Sequence, residues 1–393
     1  MSTISTLFKQ IEGLYDEMVA IRRHFHENPE LSFEEVETPK FIANYLTELG
    51  IEVETGVGGR GVVGRIYGGK PGKTVALRAD FDALAIQDEK DVPYRSKVAG
   101  KMHACGHDGH TATLLAVAKV LQANRELLPG NVVLIHQFAE ELAPGGAKPM
   151  IEAGCLEGVD AVFGTHLWSM MPCGNIGWAP GPSMAAADRF SIKINGRGGH
   201  GASPHETIDS LYLATQVVSQ FQSIVSRRID PLQPAVLTVA TLHAGSAFNV
   251  IPDSAEIGGT VRTFDTVVQD QIIEEMDRIL KGVCEGSGAT YEFDFIKGYP
   301  AVVNHEQEAR LVANSAAKVV GSEHVNQMQP SMGGEDFSYF LLERPGAFFF
   351  TGAGNPEVGA TYPHHHPKFD FDERAMVDAA NVLIQVTFDY LEG

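Results

Sequence analysis

The sequence contains few cysteines, no long apolar run and a minority of basic residues. Its four cysteines are scattered without close pairs, which argues against a disulfide framework and favours a reducing compartment. No apolar stretch approaches the ~20 residues of a membrane span, and the N-terminus lacks the basic start and unbroken apolar stretch of a secretion signal. We therefore expect a soluble, cytoplasmic protein.

Basic residues number 30 and acidic residues 50, which gives the chain a net charge of -20. Such a charge repels phosphate backbones and anionic membranes, so neither nucleic acid nor a membrane is an expected partner. It still allows a small anionic substrate that one or two local arginines bind. The 393 residues are too many for one ordinary core and predict two domains or one domain with an insertion.

Three short β-branched runs predict buried strands that end in polar side chains. They are TVALRAD from Thr74, NVVLIHQF from Asn131 and AVFGTH from Ala161, with a helical pattern from Thr111 between the first two. This alternation predicts an α/β domain with a mostly parallel sheet flanked by helices. Ligands gather beyond the carboxyl ends of such strands, where these runs lead into acids or a histidine.

A second pattern begins after Gly181-Pro182 and predicts an inserted domain of residues 184–297. Strand, helix, two strands, helix and strand follow one another there, in the βαββαβ order of a ferredoxin-like layer. The chain then returns to a helix, a strand and a long final helix, which most simply complete the first sheet. The predicted larger domain therefore comprises residues 1–183 and 298–393.

The densest chemical motif is CGHDGH at residues 105–110, directly before the predicted helix. Thiolates and imidazoles are ligands of borderline divalent ions. The glycines allow a tight turn, and the N-terminus of the helix would help to keep Cys105 ionised. A polar turn with a buried thiol is the alternative, but so many metal-binding side chains in a row favour a metal site.

Further acids and histidines are expected at strand ends or in loops. Glu140 and Glu141 follow one strand, and adjacent carboxylates in such a loop can diverge, one binding a metal while the other takes a proton. His166 ends another strand, and three consecutive histidines occupy positions 364–366. Taken singly, two surface acids, or a core or surface histidine, are ordinary alternatives.

A G-x-G-x-x-G match at residues 196–201 raises a nucleotide-dependent oxidoreductase as a rival class. Pro204 follows soon after, the predicted helix begins only near Thr207, and no βαβ unit encloses the match, so the phosphate-binding helix start is missing. A second match at 56–61 is better explained as a hairpin turn. We therefore reject dinucleotide binding.

Nearly the whole chain resembles the aminoacylase and carboxypeptidase-like metallopeptidases, in the branch of hippurate hydrolases, indole-acetyl-amino-acid hydrolases and N-acyl amino acid amidohydrolases. The most specific motifs are CGHDGH at 105–110 and the paired glutamates at 140–141. The other matching segments are Arg22-Arg23 with His26, Pro29-Glu30-Leu31, LRADFDAL from Leu77, GPSMAAADRF, GGHGASPH from Gly199, Asn249-Val250-Ile251-Pro252, Gly259-Thr260-Val261-Arg262, Glu335-Asp336-Phe337 and HHPKF from His365.

The resemblance implies a metal-dependent amidohydrolase whose larger domain binds two divalent ions. The implied ligands are Cys105, which bridges the ions, His107, Glu141, His166 and His365. Cysteine, histidine and carboxylate ligands accept Zn, Mn, Co or Ni, so the metal stays open. Glu140 is the implied general base, and Asp82 orients a ligand imidazole from behind the site.

The inserted domain is implied to be a lid or dimerisation domain. His200 resembles a family histidine that supports the oxyanion when this domain closes or when a second subunit presents it, so a homodimer or higher homo-oligomer is one expectation. Asn249 and Arg262 resemble substrate-holding residues, and the guanidinium of Arg262 suits a free carboxylate.

Three positions depart from the family pattern. Phe138 and Ala85 stand where prolines are usual, which affects backbone stiffness more than chemistry. His364 stands where an apolar residue is usual, so the choice of ligand among the histidines at 364–366 is open, with His365 preferred.

Hydrolysis of a hippurate-like N-acyl amino acid, which releases a carboxylic acid and a free amino acid, is the leading prediction. Metal-dependent carboxypeptidase or dipeptidase action on short peptides is the alternative, and a metal-binding protein without turnover is the third reading. Glu140 argues against the third, because a pure binding site needs no second carboxylate that does not bind the metal. The acyl group and the amino acid side chain stay open.

Overall fold

The computed structural model describes residues 3–393, which form ten α-helices and sixteen strands. The helices are α1 (Thr3–Gly13), α2 (Tyr15–Glu27), α3 (Glu37–Glu48), α4 (His107–Ala123), α5 (Ala147–Glu152), α6 (Ser210–Ser223), α7 (Thr266–Glu285), α8 (Glu306–Val320), α9 (Ser338–Glu343) and α10 (Ala375–Glu392). The strands are β1 (Glu52–Val57), β2 (Gly61–Ile66), β3 (Thr74–Asp80), β4 (Asn131–Gln137), β5 (Ala161–Pro172), β6 (Ile176–Trp178), β7 (Gly181–Met184), β8 (Ala186–Asn195), β9 (Gly199–His200), β10 (Ala235–Ala244), β11 (Val250–Ile251), β12 (Ser254–Thr263), β13 (Thr290–Tyr299), β14 (Val302–Asn304), β15 (Val325–Gln327) and β16 (Gly346–Gly354).

The chain divides into two compact units. The larger comprises Met1–Ser183, Val303–Gln329 and Asp336–Gly393, and the smaller comprises Met184–Val302 and Pro330–Glu335. The smaller unit starts where the sequence pattern changes and ends later than residue 297, because β13 continues to Tyr299. No helix among residues 3–393 is long and apolar enough to cross a membrane.

The larger unit is built on an eight-stranded sheet in the order β1-β2-β4-β3-β5-β16-β6-β15. The β3/β4, β3/β5, β5/β16 and β6/β15 pairings are parallel, and the remaining neighbours are antiparallel. β3 is buried at every residue after Thr74, as expected for a strand that helices cover on both faces. The prediction of an α/β fold with a mostly parallel sheet flanked by helices is confirmed.

The register of the central strands places the predicted site residues at one edge of this sheet. Asp80 pairs with Gln137 across β3 and β4, and Arg78 pairs with Gly164 across β3 and β5. The carboxyl ends of all three strands therefore point the same way. The acids that follow β3 and β4 meet His166 of β5 at this edge.

The smaller unit has a four-stranded antiparallel sheet in the order β10-β12-β8-β13. In chain order its main elements are β8, α6, β10, β12, α7 and β13, which is the βαββαβ arrangement of a ferredoxin-like layer. Apolar faces of both helices cover one face of the sheet, with Val217 and Phe221 of α6 and Ile272 and Met276 of α7 fully buried.

His136 gives this fold a predictable sensitivity to acid. Its imidazole is fully buried in β4, neither ring nitrogen has a hydrogen-bond partner among the described residues, and burial lowers its pKa to about 3. In the unfolded chain the ring binds a proton near pH 6.5. The folded state is therefore favoured above pH 6.5, and this contribution is lost as the pH falls from 6.5 towards 3.

We expect His136→Leu to reduce the loss of unfolding free energy between pH 6 and pH 4 by roughly 1 kcal/mol per pH unit. Urea unfolding at a series of pH values measures this slope. His205→Leu, at an exposed histidine, is the matched control. An unchanged slope in His136→Leu would show that the buried ring is not a source of the acid sensitivity.

Candidate metal centre

Cys105 and His107 reach the edge of the sheet from the turn that begins α4. Gly106 between them has a φ of +112°, a left-handed conformation that favours glycine and turns both flanking side chains inward. Single ligand atoms of Cys105, His107 and Glu141 all lie within 4.8 Å of one another. Such a set of sulfur, nitrogen and oxygen donors suits a borderline divalent ion.

His107 is held with one ring nitrogen aimed at this cluster. Its Nδ1 lies 3.0 Å from the carbonyl oxygen of Asp82 and 3.1 Å from Oδ1 of the same residue, so Nδ1 carries the proton and donates it. Its Nε2 lies 3.8 Å from Oε1 of Glu141. Both atoms are buried without a hydrogen-bond partner in the described part of the chain. Two such ligand atoms facing each other fit a bound cation.

The electrostatics of the chain alone also favour a cation at this cluster. Burial and the neighbouring carboxylates, first Glu141 and then Glu140, raise the pKa of Cys105 well above its ordinary value. Burial alone would lower the pKa of His107, but Asp80, Asp82 and Glu141 outweigh it and raise this pKa to about 10. In the chain alone, burial and these carboxylates oppose ionisation of Cys105. Ionisation of this thiol in the metal site stays a prediction.

His166 comes to the cluster from β5. Its Nδ1 donates to the carbonyl oxygen of Leu167 at 2.9 Å, which leaves Nε2 free to face Sγ of Cys105 at 3.4 Å. Burial, followed by the neighbouring His110 and His364, lowers the pKa of His166 well below its ordinary value. A neutral ring with Nε2 unprotonated is the form that binds metals.

The three consecutive histidines have different surroundings. His364 stacks on Trp168, and its Nδ1 and Nε2 lie 3.0 Å from the carbonyl oxygen of Cys105 and 3.2 Å from the backbone nitrogen of Ser169. His365 has a φ of +63° and places Nε2 3.3 Å from Oε2 of Glu141. His366 stacks on Tyr362, with ring centroids 4.5 Å apart.

The carboxylates of Glu140 and Glu141 take different positions. Glu141 joins Cys105 and His107, whereas Glu140 is buried with a carboxylate oxygen within 4.8 Å of one of Asp336. Glu140 is not a member of the groups that contain Cys105. The carboxylates of the two neighbours therefore belong to different groups of side chains, and their roles as ligand and proton acceptor stay a prediction.

Asp82 supports the cluster from behind. Its Oδ1 faces Nδ1 of His107, and its Oδ2 accepts from Oγ of Ser32 at 2.6 Å and from the backbone nitrogen of Glu141 at 3.0 Å. Burial opposes ionisation of Asp82, but these hydrogen bonds outweigh it and lower its pKa. Asp82 thus fixes the orientation of His107 and the backbone of Glu141 together.

Two further buried groups lie next to the cluster and were not assigned from the sequence. Asp80 binds Nδ1 of His110 at 2.6 Å and Nη1 of Arg78 at 2.6 Å. The guanidinium of Arg22 binds three carboxylates, Oδ2 of Asp108 at 2.9 Å, Oδ1 of Asp370 at 2.7 Å and Oε1 of Glu373 at 3.2 Å. Matching segments in the sequence contained Arg22, Asp80 and Asp108, but the partners of Arg22 are up to 351 positions away.

The predicted substrate-holding residues belong to the smaller unit. Strands β9 and β11 are antiparallel neighbours in which His200 lies opposite Val250, so Asn249 lies close to His200 in this unit. Arg262 is half-buried near the end of β12, and burial lowers its pKa. Its Nη1 lies close to Gly334, and a Cβ added to that glycine would stand 3.4 Å from this atom.

A model of the Peptidase family M20/M25/M40 matches residues 76–388 of the chain. The chain belongs to this family. The match contains the cluster around Cys105 and the whole smaller unit, so this assignment covers both parts of the fold.

Relatives of this M20 family member carry related names. The protein YhaA of Bacillus subtilis strain 168, named as an amidohydrolase, is 55% identical over 392 residues and 99% of both chains. Thermostable carboxypeptidase 2 of Saccharolobus solfataricus is 46% identical over 99% of both chains. The N-acyl-L-amino acid amidohydrolase of Geobacillus stearothermophilus is 48% identical over 76% of this chain and 82% of its own.

A solved structure of an M20 protein supports the metal centre. The YxeP protein of Bacillus subtilis, described as a dinuclear metal-binding peptidase, is 38% identical and superposes with a TM-score of 0.85 over 97% of this chain and 99% of its own. Together with the family and the relatives, this shows that the chain is a metal-dependent amidohydrolase of the M20 family.

Proposed function

We propose that this M20 enzyme hydrolyses the amide bond of N-acyl amino acids of the hippurate type, releasing a carboxylic acid and a free amino acid. The observation that carries the proposal is the separation of Glu140 from the group formed by Cys105, His107 and Glu141. A buried carboxylate beside a metal group, but outside it, is suited to move a proton. The similarity to an N-acyl-L-amino acid amidohydrolase supports this substrate class.

Two divalent ions, with Zn, Mn, Co or Ni as candidates, would be held by Cys105, His107, Glu141, His166 and His365. Cys105 would bridge them, since it belongs both to the group with His107 and Glu141 and to a group on the side of His166. That second group contains His364, but the ring nitrogens of His364 already face backbone partners. We therefore assign the ligand role to His365, whose Nε2 faces Glu141.

When bound, these ions would polarise the amide carbonyl and lower the pKa of the attacking water. Glu140 takes the proton from the water and delivers it to the leaving nitrogen. Asp82 keeps the proton of His107 on Nδ1, so that Nε2 stays available. For Glu140 to act as the base while Glu141 binds metal, the carboxylates of the two neighbours must point in different directions.

The smaller unit would supply the substrate contacts. His200 would stabilise the developing oxyanion, Asn249 would help to hold the substrate, and Arg262 would bind the free carboxylate of the amino acid. The unit would serve as a lid or as a dimerisation domain. A cytoplasmic location and a homo-oligomeric state complete the proposal, and the four free cysteines agree with a reducing compartment.

Hydrolysis by chelated protein, reloaded separately with Zn, Mn, Co and Ni, tests the substrate class by the release of free amine. We expect hippurate and N-acetyl amino acids to be cleaved at least roughly tenfold more efficiently than hippuramide, in which the carboxylate is blocked. Faster cleavage of dipeptides would favour the alternative, a carboxypeptidase like the Saccharolobus relative. Failure to release amine with each reloaded metal would contradict both.

A further inference from the structure

The turn before the paired glutamates contains a strained residue. Ala139 has a φ of +51°, in the left-handed region, where the Cβ of a residue comes too close to the following carbonyl oxygen. Such a conformation persists only where the surroundings hold it in place. Because Glu140 and Glu141 follow directly, the same turn decides the directions of their two side chains.

Hydrogen bonds from three separate segments hold this turn. Oε1 of Glu35 accepts from the backbone nitrogen of Ala139 at 2.9 Å. The backbone nitrogen of Gly146 donates to the carbonyl oxygen of Ala139 at 3.1 Å. Asp82 accepts from the backbone nitrogen of Glu141 at 3.0 Å. Glu35 is thus the side chain that binds the strained residue itself.

The surroundings of Glu35 suit a neutral carboxyl group that accepts a hydrogen bond better than an ionised carboxylate. Its side chain is fully buried, and Oε2 has no hydrogen-bond partner among residues 3–393, although Nε of Arg60 lies 3.8 Å away. Burial, with a further contribution from the charge of Asp82, raises the pKa of Glu35 to about 8. Glu35 therefore contributes one acceptor oxygen to the turn, and its side chain has the length needed to place that oxygen at the backbone nitrogen of Ala139.

The segment that carries Glu35 braces the same turn at two more points. Oγ of Ser32 donates to Oδ2 of Asp82 at 2.6 Å, and Asp82 in turn binds Glu141. The ring of Phe33 packs edge-on against Phe138, the residue before Ala139, with centroids 5.8 Å apart. A shorter side chain at position 35 would consequently weaken the hydrogen bond to Ala139 and loosen the backbone of residues 138–141.

We propose that Glu35 is a positioning residue whose carboxyl oxygen holds the left-handed turn at Ala139 and thereby keeps Glu140 and Glu141 pointing apart. The inference rests on the proposed function in one respect, the assignment of Glu140 as base and Glu141 as ligand. Glu35 acts through the backbone, and no chemical step is assigned to it.

Two conservative variants at Glu35 separate the effect of side-chain length from the effect of the acid group. Glu35→Asp keeps the carboxyl group but withdraws it by one methylene, and Glu35→Gln keeps the reach and an acceptor oxygen but removes the acid. We expect Glu35→Asp to lower kcat about 10- to 100-fold with little change in KM, as loss of a supporting hydrogen bond near a metal site does. Glu35→Gln should lose no more than about threefold. Glu34→Asp and Glu34→Gln, at the exposed neighbour, are the matched controls.

Hydrogen exchange of the metal-free protein gives a readout that does not depend on activity. Amides of residues 138–141 should exchange faster in Glu35→Asp than in wild type, while Glu35→Gln and both Glu34 variants should match wild type. Slow exchange in both Glu35 variants, or a larger loss of kcat in Glu35→Gln than in Glu35→Asp, would overturn the proposal. Inactivity of the wild type on N-acyl amino acids would contradict the proposed function, while the exchange data would still decide the role of Glu35.

Discussion

Glu140→Ala is expected to lower kcat by about 10²–10⁴-fold, because it removes the group that takes the proton from the attacking water. The carboxylate lies outside the groups that contain Cys105, so the bound metal should remain. Elemental analysis of the purified variant, beside steady-state kinetics with an N-acyl amino acid, measures both quantities on one sample.

The contrast with the next residue makes this test specific. Glu141→Ala should lose metal as well as activity, since Oε1 of Glu141 faces Nε2 of His107 and Oε2 faces His365. Glu152→Ala, at an exposed position of α5, controls for the loss of a glutamate elsewhere in the larger unit. Wild-type turnover in Glu140→Ala would refute its role as general base, and loss of metal in Glu140→Ala would make it a ligand.

Cys105→Ala is expected to reduce the bound metal more than a change at any single terminal ligand, because Cys105 belongs to both halves of the cluster. Loss of a residue that only supports a ligand costs about 10- to 100-fold in metal affinity, and loss of a shared ligand should exceed this. Metal content after dialysis, together with titration of the chelated protein, measures the effect.

A second measurement separates metal binding from catalysis. Added metal should raise the Tm of the chelated wild type, because a ligand that binds only the folded state stabilises it, and this shift should shrink in Cys105→Ala. Cys155→Ala, at another buried free cysteine of the larger unit, should keep the full shift. Full metal occupancy and an undiminished shift in Cys105→Ala would exclude Cys105 as a ligand.

Local patterns in the sequence were enough to predict the strands of the central sheet and the motifs at their ends. The apolar run from Thr74 and the run from Asn131 identify β3 and β4, and parallel neighbours necessarily end at the same edge. The glycines at 106 and 109 and the donors between them indicated a metal-binding turn. These features depend on residues close together in the chain, so the sequence pattern alone is enough to predict them.

Other features depend on contacts between distant segments. Arg22 binds Asp370 across 348 positions, and Glu35 binds Ala139 across 104 positions. Neither contact has a periodicity or a spacing that would reveal it. The surroundings of Cys105 likewise depend on distant segments, because burial and the carboxylates of Glu141 and Glu140, which raise the pKa of its thiol, come from tertiary packing.

The sequence by itself determined the α/β class, the types of ligand available and the presence of two adjacent carboxylates. Only the tertiary structure decided which of those carboxylates faces the cluster, which ring nitrogen of His107 and of His166 faces it, and which remote side chains hold the turn at Ala139. The physical reason is that donor chemistry is a property of each residue, whereas direction, burial and protonation depend on what the folded chain packs around it.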